Sequence, residues 1–415
     1  MRCGMCQAVC PLYAETGREM DVARGKLVLL DGLLHEMLKD PRGVNERLSR
    51  CLLCGACVAN CPSGVNVLDI FIKAQAILFD YRRLSLFKGA FLKGILVHPK
   101  ALDRLLGFGV KVQRVFVRSI DEEMGTSCVR FFSPLVKRHF KNLAPVPFHC
   151  MIRGLNLYKN KSKSDLKVGF FVGCLIDKFY PNVGQAVLET LAAHNISVFL
   201  PEEQACCGIP ALAEGDVATF TSLVRHNLKR FSHKSFDFLI TACATCTFTI
   251  KRMWPLMAEG LSREEKTQVS NISEKTLDIS EFLLEKVDLA EQNLEEVKDE
   301  ILVTYHDPCH LKKSLGVSAQ PRAIIKANPN YQLKEMAEAD WCCGCGGGFN
   351  LKYYDISASI GRRKRKNIVS SGCSVVATGC PACMLQISDM LSQAGDQIKV
   401  KHAIEIYAET LRQKY

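Results

Sequence analysis

The feature that most restricts this chain is a pattern of five cysteines that occurs twice. From Cys174 there are 31 residues to the adjacent pair Cys206-Cys207, with Gly208 after it, then 35 to Cys243 and two to Cys246. From Cys309 there are 32 to Cys342-Cys343, with Gly344 after it, then 36 to Cys380 and two to Cys383. Five residues of one type in one order, with each long gap differing by one, mark two copies of a single folding unit. Each copy also alternates short apolar runs with helical spacing. Lys167 to Gly173, Ile196 to Leu200 and Phe236 to Ile240 read as strands, and Val183 to His194 as a helix. In the second copy Ile301 to Tyr305 leads to Cys309, and Val375 to Thr378 leads to Cys380. This alternation predicts an α/β fold with a small parallel sheet in each module and the cysteines in loops beyond the strand ends, where such sheets place ligands. Ile279 to Glu300 is acidic and amphipathic and is expected to be a helix bridging the modules.

The N-terminal cysteines follow a different rule. Cys51-x2-Cys54-x2-Cys57-x3-Cys61-Pro62 has the spacing that holds four-iron four-sulfur (4Fe-4S) clusters in bacterial ferredoxins. Three closely spaced thiolates reach three irons of a compact, anionic cluster from one loop, and the fourth Cys of such a run ligates the other cluster of a two-cluster protein. Cys3-x2-Cys6-x3-Cys10-Pro11 repeats the last three positions of that run without its first Cys. On the crossed pattern Cys10, Cys51, Cys54 and Cys57 complete one cluster, while Cys3, Cys6 and Cys61 hold a second that lacks a ligand. A start upstream of Met1 is the preferred explanation; a non-protein ligand or a cluster short of one iron are the others. The 40 residues between Cys10 and Cys51 carry a helical pattern around Lys26 to Leu38, so helical lobes rather than a compact β-ferredoxin are expected.

At about 150 residues per domain, 415 residues make two to three domains. The cysteine count of 21 is odd, and no apolar export signal opens the chain, so metal ligation in a reducing cytosol explains the cysteines better than disulfides. The longest uncharged run, Phe238 to Ile250, holds four Thr and falls short of a spanning helix. The net charge of +11 is local: residues 81 to 164 carry 17 Lys and Arg against 4 Asp and Glu, +13, which leaves −2 for the rest. There Leu84, Phe87, Phe91, Leu92, Ile95, Leu102, Leu105 and Leu106 recur at helical spacing among Lys88, Lys93, Lys100, Arg104 and Lys111. That pattern suits an anionic membrane surface. It equally suits an acidic partner subunit, or a linker packed on the ferredoxin-type domain with a solvated positive face. No nucleic-acid-reading motif accompanies the charge, and no nucleic-acid partner is expected.

With Ala23-Arg24-Gly25-Lys26 between the two N-terminal runs, then Gly173-Cys174, Ala205-Cys-Cys-Gly208, His306-Asp-Pro-Cys-His310, Cys342-Cys-Gly344 and Gly379-Cys-Pro-Ala-Cys383, the chain resembles the glycolate oxidase iron–sulfur subunit family over nearly its whole length. More broadly it is similar to heterodisulfide reductase-like proteins with two CCG domains. The resemblance implies a ferredoxin-type domain with two 4Fe-4S clusters at 1–80, a basic helical linker at 81–164, CCG domains at 165–278 and 301–415, and the bridging helix at 279–300. It implies electron transfer from an FAD-binding partner, which oxidises glycolate or D-lactate, toward a quinone or other membrane acceptor at the cytoplasmic face. It also implies non-cubane iron–sulfur clusters on Cys174, Cys206, Cys207, Cys243 and Cys246, and on Cys309, Cys342, Cys343, Cys380 and Cys383. Five soft donors per module exceed the four of a tetrahedral zinc site, which agrees with that role. Cys345 departs from the pattern, as an extra ligand or, on the preferred reading, a neighbour.

No G-x-G-x-x-G follows a strand, and Gly344 to Gly348 lacks the Lys-Ser/Thr of a phosphate loop, so no flavin is expected on this chain. Without a hydride acceptor the chain is not expected to oxidise a hydroxy acid alone, and no catalytic residue is assigned. His306, Asp307 and His310 are read as helix caps and hydrogen-bonding partners of cluster sulfurs in preference to proton carriers. Cys128, Cys150 and Cys373 lie outside both repeats and are read as buried small hydrophobes. Two rival functions stand beside the electron-transfer reading. One is a disulfide or heterodisulfide reductase whose CCG cluster bonds the substrate sulfur; the other is a binding module stabilised by structural zinc.

Overall fold

The computed structural model describes residues 3–81, 97–121, 125–129, 138–152, 166–232, 235–287 and 300–412. In the basic stretch, strands β1 (Val117–Asp121), β2 (Thr126–Val129) and β3 (Phe140–Lys141) form an antiparallel sheet after a helix at Pro99–Phe116. The linker expected to be helical is therefore helical only in part. Leu84 to Ile95 lie outside the described residues. The sheet seats on the second module rather than on the ferredoxin-type domain: Thr126 Oγ1 is 2.7 Å from Ser392 Oγ, and the His139 backbone N–H donates to Asp389 at 2.8 Å.

The first module is built on β4 (Lys167–Phe171), β5 (Ser197–Phe199), β6 (Phe238–Thr241) and β7 (Thr276–Asp278), all parallel, in the order β5-β4-β6-β7. The second uses β8 (Ile301–His306), β9 (Tyr331–Leu333), β10 (Val375–Thr378) and β11 (Lys399–His402), ordered β9-β8-β10-β11. In chain order both sheets run second, first, third, fourth, so the cysteine repeat is matched by a repeat in topology. Central strands read as unbroken apolar runs because helices cover both faces; Val168, Phe170, Phe171, Leu239, Ile240, Val303 and Val376 are buried accordingly.

In such a sheet the winding reverses between the first and third strands, and a crevice opens at their carboxyl ends. Cys174 follows β4 and Cys243 follows β6; Cys309 follows β8 and Cys380 follows β10. The two modules join through helices Pro181–Ala193 and Ala403–Arg412, with His194 Nε2 2.8 Å from the Tyr407 hydroxyl. The segment expected to bridge them begins as a helix at Ile279–Lys286, capped by Asp278 and in contact with second-module helices Ala319–Lys326 and Ala403–Arg412; residues 288–299 lie outside the described residues. The N-terminal region is helical, with Ala23–Leu34 where a helix was expected around Lys26 to Leu38.

Candidate metal centre

Local backbone rules bring the thiols of each module together. Cys380 is extended (φ −144°, ψ 115°), as a residue capping a helix start is and as a following proline favours, and Pro381 opens the helix Pro381–Ala394 with the fixed φ that suits a first position. Cys383, one turn in, therefore lies beside Cys380. Cys243 repeats that conformation (φ −145°, ψ 106°) ahead of helix Ala244–Phe248. After the vicinal pairs, Gly208 (φ +102°) and Gly344 (φ +91°) turn the chain through the left-handed region; a Cβ would meet Phe220 at 2.6 Å in one case and the Ser357 carbonyl at 2.5 Å in the other. Buried Asn227 accepts from the Ala205 N–H and donates to the Cys206 carbonyl, and Trp254 Nε1 donates to the Cys207 carbonyl at 2.9 Å, fixing the first pair.

The sulfurs form one series across the molecule. Cys174 Sγ is 3.9 Å from Cys206 Sγ, and contacts continue from Cys206 to Cys207, Cys246 and Cys243. Cys243 then meets Cys380 of the second module, which leads to Cys383, Cys343 (3.4 Å from Cys383), Cys342 and Cys309. Cys309 and Cys342 both touch Cys54. In each module the second Cys of the vicinal pair is hydrogen-bonded to sulfurs on either side, Cys207 to Cys206 and Cys246 and Cys343 to Cys342 and Cys383, and these neighbours lower its pKa.

Cys54 belongs at the same time to the N-terminal set. Cys10, Cys51, Cys54 and Cys57 line one cavity with Lys26, Asp21 and Phe71, the grouping expected from the crossed pattern. Burial pushes the Cys10 thiol up to about 11. Lys26, only 1% exposed, holds its ammonium 5.9 Å from the Phe71 ring. Cys3 is exposed and Cys6 and Cys61 are half-buried. The helix Met5–Ala8 with Cys6 packs on Ala56–Ala59, close to Cys61 in the chain.

The histidines and lysines around the sulfurs have separate tasks. His306 is fully buried; its Nδ1 donates to the Ala339 carbonyl at 3.1 Å, and the ring lies within 4.8 Å of Cys343 and Cys383, where its interaction with Cys343 lowers that thiol's pKa. His310 Nε2 donates to the Leu53 carbonyl, between Cys51 and Cys54, at 3.0 Å, its Nδ1 is 3.3 Å from Thr245 Oγ1, and the ring stacks on Phe248 at 4.4 Å. One side chain thus ties the N-terminal loop to both modules. Asp307 reaches no sulfur: two Arg322 N–H groups and the Ser318 hydroxyl hold it at 2.8–3.0 Å. It is an ion-pair partner instead of the sulfur contact or cap expected. Lys313 and Lys364 escaped the sequence reading. Burial opposes the Lys313 ammonium, but Cys309, Cys54 and Cys342 outweigh it and raise its pKa. Lys364, 1% exposed, is brought down to about 8 by burial and donates to the Glu338 and Ala339 carbonyls. Nothing in their spacing marks them, since both neighbour the sulfurs only after folding.

Cys345 is half-buried, with Cys343 and Cys380 as neighbours. Of the cysteines outside the repeats, Cys373 is buried as expected and Cys128 is half-buried. Cys150 is a correction: it is exposed, on the short helix Phe148–Met151, with its sulfur on an imidazole. The donor set suits iron–sulfur ligation. It consists of soft thiols crowded on one another, eight of the ten in the two modules buried, with the buried His306 imidazole beside Cys343 and Cys383.

The cysteine-rich domain family matches residues 168–251 and again 303–388, and the 4Fe-4S dicluster domain family matches residues 1–65. The chain is 30% identical to a fumarate reductase (CoM/CoB) subunit of Methanothermobacter marburgensis over 88% of its own length, but spans only 62% of that protein. It is 26% identical to the probable glycolate oxidase iron–sulfur subunit of Bacillus subtilis, over 100% of this chain and 94% of that one. It is 30% identical to lactate utilization protein A of a Geobacillus species, over 58% of this chain and 98% of that one. With one module repeated in sequence, topology and sulfur placement, the chain belongs to the CCG family of iron–sulfur oxidoreductase subunits, here with a 4Fe-4S dicluster domain ahead of the two cysteine-rich domains.

Proposed function

We propose that this chain is the electron-transfer subunit of a flavin-dependent dehydrogenase complex acting on glycolate or D-lactate, passing electrons from an FAD-binding partner toward a quinone or other membrane acceptor. The observation that carries the reading is the contact of Cys54 with both Cys309 and Cys342, which makes the dicluster domain continuous with the second module and, through Cys380 and Cys243, with the first. Cys10, Cys51, Cys54 and Cys57 hold one 4Fe-4S cluster; Cys3, Cys6 and Cys61 contribute to another. The five thiols of each module are ligands for a further, non-cubane cluster. Bound there, iron–sulfur clusters supply one-electron redox chemistry, and their potentials answer to nearby charge and hydrogen bonds. Lys313 and Lys364 place positive charge beside the second module, favouring its reduced state. His310 fixes the spacing between the Cys51–Cys54 loop and the modules. Among the described residues no helix is long and apolar enough to cross a membrane, so membrane contact in this reading is peripheral.

The test is turnover of glycolate and D-lactate by the anaerobically purified chain with and without a flavoprotein partner, alongside iron and acid-labile sulfide per chain. Activity only with the partner, and iron beyond the roughly eight atoms of two cubane clusters, is expected. Substantial turnover by the chain alone defeats the reading. A disulfide reductase is the second reading, favoured by the buried His306 imidazole beside Cys343 and Cys383. Disulfide reduction with an artificial electron donor, by a chain inert toward hydroxy acids in any complex, selects it. Loss of all iron with stoichiometric zinc selects the structural-zinc reading.

A further inference from the structure

Away from the sulfur series, three elements meet around one exposed thiol. Cys150 Sγ is 3.2 Å from His149 Nε2. His149 Nδ1 is 2.9 and 3.1 Å from the two oxygens of Asp177, and the same carboxylate accepts the His149 backbone N–H at 2.9 Å. Ring and main chain are therefore both fixed by Asp177. With Nδ1–H donating to that carboxylate, Nε2 turns a lone pair toward the Cys150 thiol. Cys150 is exposed, whereas the Asp177 side chain is only 17% exposed. Nucleophile, base and orienting carboxylate stand in the order that activates a thiol in unrelated folds.

We propose that Cys150, His149 and Asp177 form a nucleophilic thiol site that exchanges with small disulfides. Cys150 and His149 lie on helix Phe148–Met151, Asp177 on the helix that opens at Cys174, and Asp103 on helix Pro99–Phe116. The charged groups facing the imidazole are Asp177, Asp103 (Oδ2 3.4 Å from Nε2) and Lys178 (Nζ 3.4 Å from Nδ1). Lys178 pairs with both carboxylates, at 2.6 Å from Asp177. An ammonium already between the carboxylates makes Asp103, His149 and Asp177 a poor seat for a divalent cation, so the thiol is the reactive group. In the exchange the Cys150 sulfur attacks one sulfur of the disulfide as its proton passes to His149 Nε2. The S–S bond breaks, a mixed disulfide forms on Cys150, and the departing thiolate takes the proton from His149. The small disulfide is the two-electron oxidant, and its products are one free thiol and one protein-bound half.

The experiment uses the full-length, cluster-loaded protein with 5,5′-dithiobis(2-nitrobenzoate) and then glutathione disulfide, read by absorbance and by peptide mass mapping. A single fast phase mapping to Cys150, about tenfold or more faster than free cysteine at the same pH, is expected. Cys150→Ser should abolish that phase. His149→Gln should slow it by about tenfold with iron content unchanged, and Asp177→Asn should alter its pH profile while still accepting the backbone N–H. A fast phase that maps to another cysteine, a Cys150 no faster than free cysteine, or a His149→Gln rate equal to wild type overturns the proposal. The comparison with free cysteine needs no variant, so a misfolded substitution does not shelter it.

Discussion

Replacing Gly173 by alanine tests whether the first module is a ligand set. Gly173 joins β4 to Cys174 with φ +75° and ψ 156°, a conformation nearly reserved for glycine that costs other residues about 1–3 kcal/mol. A Cβ there would lie 3.0 Å from Cys246 Sγ, well inside the roughly 3.5–4.0 Å of comfortable heavy-atom contact. The sulfur must yield, and overpacking of this kind adds about 1–3 kcal/mol. Gly173→Ala is expected to cost about 2–4 kcal/mol in all and to lower iron and acid-labile sulfide per chain, with the paramagnetic signals of the dicluster domain intact. Gly316→Ala is the control: φ is +76° but among the described residues nothing lies within 4 Å of its Cβ, so it carries backbone strain alone. Iron, sulfide, electron paramagnetic resonance and denaturant midpoints of both variants decide the matter. Should Gly173→Ala keep its full iron content and unfold where Gly316→Ala does, the sulfur of Cys246 is not held to a bound group and the reasoning fails.

Further substitutions probe the surroundings. His310→Ala strips the Leu53 carbonyl of its donor, at a cost of about 1–3 kcal/mol; hydrogen exchange of the 51–57 backbone should rise, and unchanged exchange would show that the N-terminal loop is held elsewhere. Arg322→Ala leaves the buried Asp307 charge short of its main partner and should cost about 3–5 kcal/mol by chemical denaturation, with Asp307→Asn in the same chain recovering part of the loss. Asp278 is pushed up to about 7 by burial. Its folded pKa lies above that of the unfolded chain, so between pH 4 and 7 the folded state keeps a proton the unfolded state has released, and stability falls as pH rises through that window. Asp278→Asn keeps an acceptor for the Ser280 N–H and should remove up to about 4 kcal/mol of that slope; a wild-type slope in the variant would count against it.

The cysteine spacing carried much of the architecture because each motif is local. Cys-Cys-Gly needs a turn through positive φ, and Cys-Pro needs an extended residue before a helix, whatever surrounds them. The strands before Cys174, Cys243, Cys309 and Cys380 were legible for a similar reason, since a buried parallel strand is a short apolar run. The fourth strands were harder to read. Thr276–Asp278 and Lys399–His402 are short edge strands whose place comes from pairing with β6 and β10. The three-stranded sheet in the basic stretch was likewise hidden, its residues held by Ser392 and Asp389 of a distant helix.

From the residues alone it was legible that one module occurs twice, that each carries five cysteines in one order, and that Cys10 was to be grouped with Cys51, Cys54 and Cys57, with which it lines one cavity. Those outcomes follow from short-range spacing and backbone preference. The folded chain was needed to show that Cys54 lies on Cys309 and Cys342, that Cys243 lies on Cys380, and that His310 ties the Leu53 loop to Thr245. It alone placed His149 between Cys150 and Asp177. Contacts between residues tens to hundreds of positions apart depend on how separately folded surfaces bury against one another. No local pattern records that burial, and here it sets which thiols of separate segments meet.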